Sequence, residues 1–213
     1  MDERLIDGVG LWCERLTSAH ASGRPVLFLD RDGVIVEEVG YLARREDVRI
    51  VDAAAVAIRR ANELGICVVV ITNQSGIGRG FFGWDDFDRV QHRISELLAL
   101  KDAHLDLVVA CGYHPDGIGE FCRADHPWRK PNNGMVMAAA SCLKADLSCS
   151  LMVGDKVIDL EAARASGIGT GILVRTGHGA AEAHTLETRR LEPMKVSICN
   201  DASAIGLWLN EIS

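Results

Sequence analysis

The sequence predicts an α/β protein built on a parallel sheet with helices on both faces. Apolar, β-rich runs recur at 26–29, 66–71, 105–110, 151–153 and 171–174, with helical patterns between them. Strands buried on both faces read as continuous apolar runs, and their alternation with helices is the order of a parallel sheet. Several of the runs also stop abruptly on acids or small polar residues. That is what the carboxyl edge of such a sheet requires, because ligands bind there.

In chain order, residues 4–17 place Ile6, Val9, Cys13 and Leu16 on one face, which predicts an N-terminal helical extension within 1–22. In 53–64, Ala54, Ala57, Ala61 and Leu64 share a face and Gly65 follows as a stop. In 85–100, Phe87, Val90, Ile94, Leu97 and Leu98 do the same, and 134–145 and 158–166 also read as helices. Segment 111–133 is irregular and rich in Gly, Pro, His and Cys, as functional or metal-stapled loops are. Segment 178–195 is polar and reads as a surface excursion. Beyond it, 202–212 aligns Ile205, Trp208, Leu209 and Ile212 as a final helix of a C-terminal extension, 178–213.

The 213 residues, 48% of them hydrophobic, suffice for one domain, 1–213, with its own core. No apolar run approaches the roughly 20 residues of a membrane span. Residues 1–20 carry acids and lack a signal-peptide pattern. Seven cysteines, odd in number and scattered, fit a reducing cytoplasm better than a disulfide framework. A net charge of -7 argues against a nucleic-acid partner but leaves room for a small phosphorylated substrate.

The most informative run is Val26-Leu27-Phe28-Leu29-Asp30-Arg31-Asp32-Gly33-Val34. Two acids against an apolar strand are costly unless a metal or a reaction needs them. One can attack phosphorus as a carboxylate while the other moves the proton. A second strand ends at Thr72-Asn73-Gln74-Ser75 and is followed by Gly76, Gly78 and Gly80. A hydroxyl with free backbone N–H groups there makes a cradle for phosphate oxygens. The loop matches neither the G-x-G-x-x-G fingerprint nor the P-loop. A third piece, Arg129-Lys130-Pro131, precedes a helix, and its lysine could neutralise a transferring phosphoryl group. In the fourth, Val153-Gly154-Asp155-Lys156 ends a strand and Asp159 stands one turn on. Mg2+ would take side-chain oxygens from Asp30 and Asp155 and the backbone carbonyl of Asp32. Asp159 would orient Lys156 or a metal-bound water.

These motifs in this order, with Gly40-Tyr41 downstream of the first, resemble the haloacid dehalogenase-like (HAD) phosphatases over residues 26–175. The resemblance extends to the branch of heptose-bisphosphate and histidinol phosphatases. It implies a Rossmann-like HAD fold with Asp30 as nucleophile, Asp32 as general acid/base and Thr72 on the phosphate. It further implies Lys130 as the third-motif lysine, Asp155 on Mg2+, and Asn73, Gln74, Ser75 and Arg129 as substrate contacts. The expected reaction is Mg2+-dependent removal of the C7 phosphate of a heptose 1,7-bisphosphate through an aspartyl-phosphate. Histidinol phosphate or another small phosphomonoester is the alternative substrate, and a silent phosphate-binding protein the alternative of another class. About forty residues separate Asp32 from Thr72 and an expected helix and strand use most of them, so no large cap domain fits there.

One segment departs from that branch, whose bacterial members carry a zinc loop of form C-x-H-H-P and later C-x-C. Here Tyr113 stands at a usual ligand position, and His126-Pro127-Trp128 replaces the second pair. A shifted set, Cys111, His114, Cys122 and His126, has the ligand types for a tetrahedral zinc site. A zinc-free loop held by Phe121 and Trp128 explains the same residues and is the preferred reading.

Overall fold

The five apolar runs fold as strands, and two strands join them that the apolar pattern does not announce. The computed structural model describes residues 2–212. Its first half runs β1 (Leu11–Arg15), β2 (Val26–Leu29), α1 (Asp52–Glu63), β3 (Cys67–Asn73), α2 (Ser75–Gly78), α3 (Trp84–Ala99) and β4 (Leu107–Cys111). There follow α4 (Gly134–Leu143), β5 (Leu151–Gly154), α5 (Val157–Ser166), β6 (Thr170–Val174), α6 (Gly179–Glu187), β7 (Lys195–Cys199) and α7 (Ile205–Glu211). The seven strands form one sheet in the order β1-β4-β3-β2-β5-β6-β7. Neighbours are parallel except for β1 against β4. This is the expected α/β, Rossmann-like architecture.

Successive side chains of a strand face opposite sides of the sheet, so each apolar run supplies two cores. Val26, Phe28, Val69 and Ile71 pack on one face with Met135 of α4, Leu160 of α5 and Leu186 of α6. Leu27, Leu29, Val68 and Val70 pack on the other with Ile58 of α1, Phe87 of α3 and Trp208 of α7. From β2 the chain steps outward through β3 to β4, then restarts on the other side with β5 and continues to β7. The carboxyl ends of β2 and β5 therefore flank a topological switch point, the crevice where open α/β sheets bind ligands. Between β2 and α1 the chain holds one turn of 3-10 helix, Arg45–Asp47, and no inserted domain. No described helix is long and apolar enough to cross a membrane.

The termini differ from expectation. The helix predicted over 4–17 does not form; Leu11–Arg15 is instead the antiparallel edge strand beside β4. The Asp7 carboxylate accepts the N–H groups of Val9, Gly10 and Leu11, a turn that no helix can run through. Two members of the expected apolar face, Ile6 and Leu16, are exposed, whereas Trp12 is buried and stacks on Trp84. Tertiary pairing with an open sheet edge has overridden a helical pattern that Gly8 and Gly10 already weakened. Residues 178–195 are likewise more than a surface excursion. They contain α6, whose Ala183 and Leu186 reach the core, and they lead into β7. Lys195, Val196 and Ser197 of β7 are exposed, so this edge strand carries no apolar run to betray it. Segment 111–133 stays irregular apart from a 3-10 turn at Gly119–Phe121.

Candidate active site

Asp30 continues β2 by one residue, its N–H donating to the Val153 carbonyl of β5 at 2.9 Å. That bond fixes the side chain at the switch point. Lys130 arrives from the loop before α4, its Nζ donating to Asp30 Oδ1 (2.8 Å) and to the Ile71 carbonyl (2.8 Å). The same Nζ forms an ion pair with Asp159 Oδ1 at 2.6 Å. Asn73, at the end of β3, clamps the lysine's backbone: its amide donates to the Lys130 carbonyl (3.0 Å) and accepts the Lys130 N–H (3.1 Å).

Asp155 follows β5 and is fully buried. Its Oδ2 accepts the His178 N–H at 2.8 Å, while Oδ1 has no hydrogen-bond partner. Gly33 and Gly177 crowd this carboxylate: a Cβ on either would fall 2.5 or 2.3 Å from Asp155 Oδ2, and both have positive φ. Only glycine satisfies both demands. Asp159 Oδ2 accepts the backbone N–H of Lys156 at 3.0 Å, capping α5. Of the two expected partners of Asp159, Lys156 is met through its backbone N–H, and the same carboxylate also reaches Lys130.

Asp32 is steered by groups that the motifs alone do not reveal. The buried Arg31 donates from Nε to Asp32 Oδ2 (3.1 Å) and from Nη2 to Oδ1 (3.1 Å). Gln74 Nε2 donates to Asp32 Oδ2 (3.1 Å) and to Thr72 Oγ1 (2.9 Å), and Gln74 Oε1 accepts from Arg31 (3.1 Å). Gln74, expected to touch substrate, is 4% exposed, and its amide braces Asp32. A cleft of about 220 Å3 opens over the cluster and is lined by Asp30, Asp32, Asn73, Ser75, Arg129 and Lys130 among others. Lys156, Glu38 and Ile158 also reach it.

Ligand oxygens of Asp30, Asp155 and Asp159, all buried, lie within 4.8 Å of one another. Burial, then the neighbouring Asp159 and Asp32, outweigh Lys130 and push the Asp30 carboxyl up to about 6. Burial and the Asp30 charge push Asp155 up to about 8. Hard oxygen donors, one of them unpartnered, with too little positive charge among them, fit a divalent cation such as Mg2+. Acids with raised folded-state pKa hold protons that the unfolded chain has released, so stability falls as pH rises from about 4 to about 8. Denaturant titrations of the metal-free protein should show that decline, and Asp155→Asn should flatten it. An unchanged slope in the variant would remove Asp155 as its source.

The four candidate zinc ligands are not gathered. The buried Cys111 ends β4, and burial pushes its thiol up to about 11. Arg79 clasps the His114 ring (Nη2 to Nε2, 3.2 Å), Cys122 donates to the Pro115 carbonyl (3.1 Å), and His126 stacks on Tyr113 at 4.2 Å. No group of three or more metal-ligand side chains among the described residues includes any of the four. Phe121 and Trp128, both partly buried, pack against the core.

A HAD-hydrolase-like family model matches residues 127–197. The D-glycero-beta-D-manno-heptose-1,7-bisphosphate 7-phosphatase of Mesorhizobium japonicum is 44% identical over 166 residues, 78% of this chain and 76% of that one. The chain belongs to the HAD-like phosphatases. It is a phosphoric monoester hydrolase. Among solved HAD structures, one described as a HAD-like phosphatase from Mesorhizobium loti superposes with a TM-score of 0.84 at 38% identity, over 95% of this chain and 93% of that chain. The D,D-heptose 1,7-bisphosphate phosphatase of B. bronchiseptica, complexed with magnesium and phosphate, gives 0.72 at 28% identity over 88% and 99%. As a HAD phosphatase the chain brings its four motifs to one crevice from β2, β3, the loop before α4, and β5. The motifs missed Arg31, which hides inside the first motif, and the Gly177-His178 turn that seats Asp155. A glycine-flanked turn after another strand, Thr176-Gly177-His178-Gly179, was the available signal for the latter.

Proposed function

We propose that this chain is a Mg2+-dependent phosphatase that removes the C7 phosphate of D-glycero-D-manno-heptose 1,7-bisphosphate through an aspartyl-phosphate on Asp30. The observation that carries the chemistry is the buried Asp30–Lys130–Asp159 cluster beside Asp155, opening into the cleft. The substrate is supported by the names of the relatives and by Arg129 and Lys156, two further cations lining the cleft that suit a second phosphate.

Asp30 is oriented by Lys130 on Oδ1, which leaves Oδ2 to attack phosphorus in line. As the new P–O bond forms, the ester P–O bond breaks and Asp32, as general acid, delivers a proton to the leaving oxygen. Asp32 then takes a proton from water, which attacks the aspartyl-phosphate, releases phosphate and regenerates Asp30. Thr72 accepts a hydrogen bond from Gln74, so its own O–H is free to donate to the phosphoryl oxygens. Lys130 stabilises charge on the same oxygens, where most of the catalysis in phosphoryl transfer lies. Asp30, Asp155 and the Asp32 carbonyl would hold Mg2+, which when bound neutralises phosphate charge.

Phosphate release with Mg2+ should be compared for both anomers of the heptose bisphosphate, histidinol phosphate and a 3'-phosphorylated DNA end. One heptose anomer should lead the panel in kcat/KM by at least about 100-fold. Weak and even turnover would retire the heptose assignment while keeping the phosphatase. At pH 8, Mg2+ should raise the Tm of the wild type and not that of Asp155→Asn.

A further inference from the structure

We propose that Tyr113, seated by Asp7 of the N-terminal segment, is a positioning residue for Arg129 and so sets the affinity for the second phosphate. The inference rests on the bisphosphate reading above. Tyr113 is the hub of the irregular loop that follows β4. It is 3% exposed, and its hydroxyl donates to Asp7 Oδ2 at 2.5 Å. Asp7 cannot swing away, because its other oxygen accepts three backbone N–H groups, from Val9, Gly10 and Leu11. The ring lies flat against Gly10, where a Cβ would meet it at 2.7 Å. On its other side His126 stacks at 4.2 Å with an interplanar angle of 21°.

The consequence reaches the cleft through one bond. Arg129 Nη1 donates to the Tyr113 carbonyl at 2.9 Å, while Arg129 itself lines the cleft with Asp30 and Lys130. Tethering one nitrogen of the guanidinium to a fixed carbonyl leaves the rest of its donor fork aimed at an anion with few rotamers to lose. Among the described residues the Tyr113 carbonyl is the one hydrogen-bond partner of the Arg129 side chain. The platform beneath is itself anchored, since Trp84 Nε1 donates to the Val9 carbonyl at 2.8 Å and Trp12 stacks on Trp84. A loop built around an aromatic and a carboxylate thus reaches the order that a metal staple would give it, with ligands drawn from the first residues of the chain.

The test is a KM split between two substrates, the heptose bisphosphate and p-nitrophenyl phosphate, which carries a single phosphate. Tyr113→Phe keeps the stack and loses the hydroxyl; Asp7→Ala removes the acceptor. Both should raise KM for the bisphosphate about five- to tenfold, as loss of a hydrogen bond to a charged group does. Both should leave its kcat, and turnover of p-nitrophenyl phosphate, within twofold. Asp7→Asn, whose amide can donate to the Tyr113 hydroxyl, should restore KM. Unchanged KM in Tyr113→Phe and Asp7→Ala, or equal losses on both substrates, would overturn the proposal. Arg129→Ala separates the two readings. If it raises KM for the bisphosphate and Tyr113→Phe does not, only the positioning role fails. If it leaves KM alone, the second-phosphate reading fails and takes this inference with it.

Discussion

Asp30→Asn is expected to lower kcat by at least about 10^4-fold, because the amide is no nucleophile and the rest of the site cannot replace it. The substitution is nearly isosteric. Asn can still accept from Lys130 and can still donate its N–H to the Val153 carbonyl, so the fold should hold and KM should change little. The variant also relieves like-charge crowding among Asp30, Asp155 and Asp159, so the metal-free protein should be more stable than the wild type at pH 8. Rapid acid quench during turnover should trap phosphate on the wild type and none on Asp30→Asn. Residual activity near the wild-type level, or trapped label on the variant, would falsify the nucleophile assignment.

Lys130→Met is the second large effect, and it should strike activity and stability together. Burial opposes the ammonium, but Asp159 and Asp30 more than offset it, and the lysine's pKa is raised. Removing the cation leaves three buried carboxylates facing one another, and breaking a buried pair from one side costs about 3–5 kcal/mol. The loss should be full at pH 8, where the unfolded acids are ionised, and smaller near pH 5, where the folded acids can keep their protons. In catalysis the variant forgoes one charge-stabilising donor, which is worth about 10^2- to 10^3-fold in kcat. Urea titrations at the two pH values and steady-state kinetics with saturating Mg2+ measure both. Equal destabilisation at pH 5 and pH 8 would show that the lysine contributes packing rather than charge.

Much of this was legible in the chain. Strands buried on both faces announce themselves as apolar runs, and β2, β3, β4, β5 and β6 were all visible for that reason. The site was legible because a polar residue at the end of such a run has few structural excuses: Asp30, Thr72 and Asp155 stand on that logic. What was hidden was tertiary in origin. β1 reads as a helix because its register is set by an edge about a hundred residues away, where Leu11 meets Cys111, and local periodicity carries no trace of that. β7 is half exposed and has no apolar signature. The roles of Gln74 and Asp159 could not be read from spacing, since both depend on which neighbour reaches them first: Arg31 and Asp32 for one, Lys130 for the other. The cysteines and histidines of segment 111–133 left a zinc site and a zinc-free loop both open, because side-chain type does not say which way a side chain points.

The position of β2 in the middle of the sheet also bears on the order in which the protein can become active during synthesis. On one side β2 pairs with the nearby β3; on the other it waits for β5, with Phe28 meeting Met152 across most of the chain. Long-range pairings of this kind are slow to close and form late. A nascent chain that has completed α3 already carries Asp30, Asp32 and Thr72, yet has neither Lys130 nor Asp155. Asp30 therefore emerges from the ribosome well before Lys130 and Asp155, the groups that surround it in the folded site. Competence requires the second half of the sheet to dock against the first.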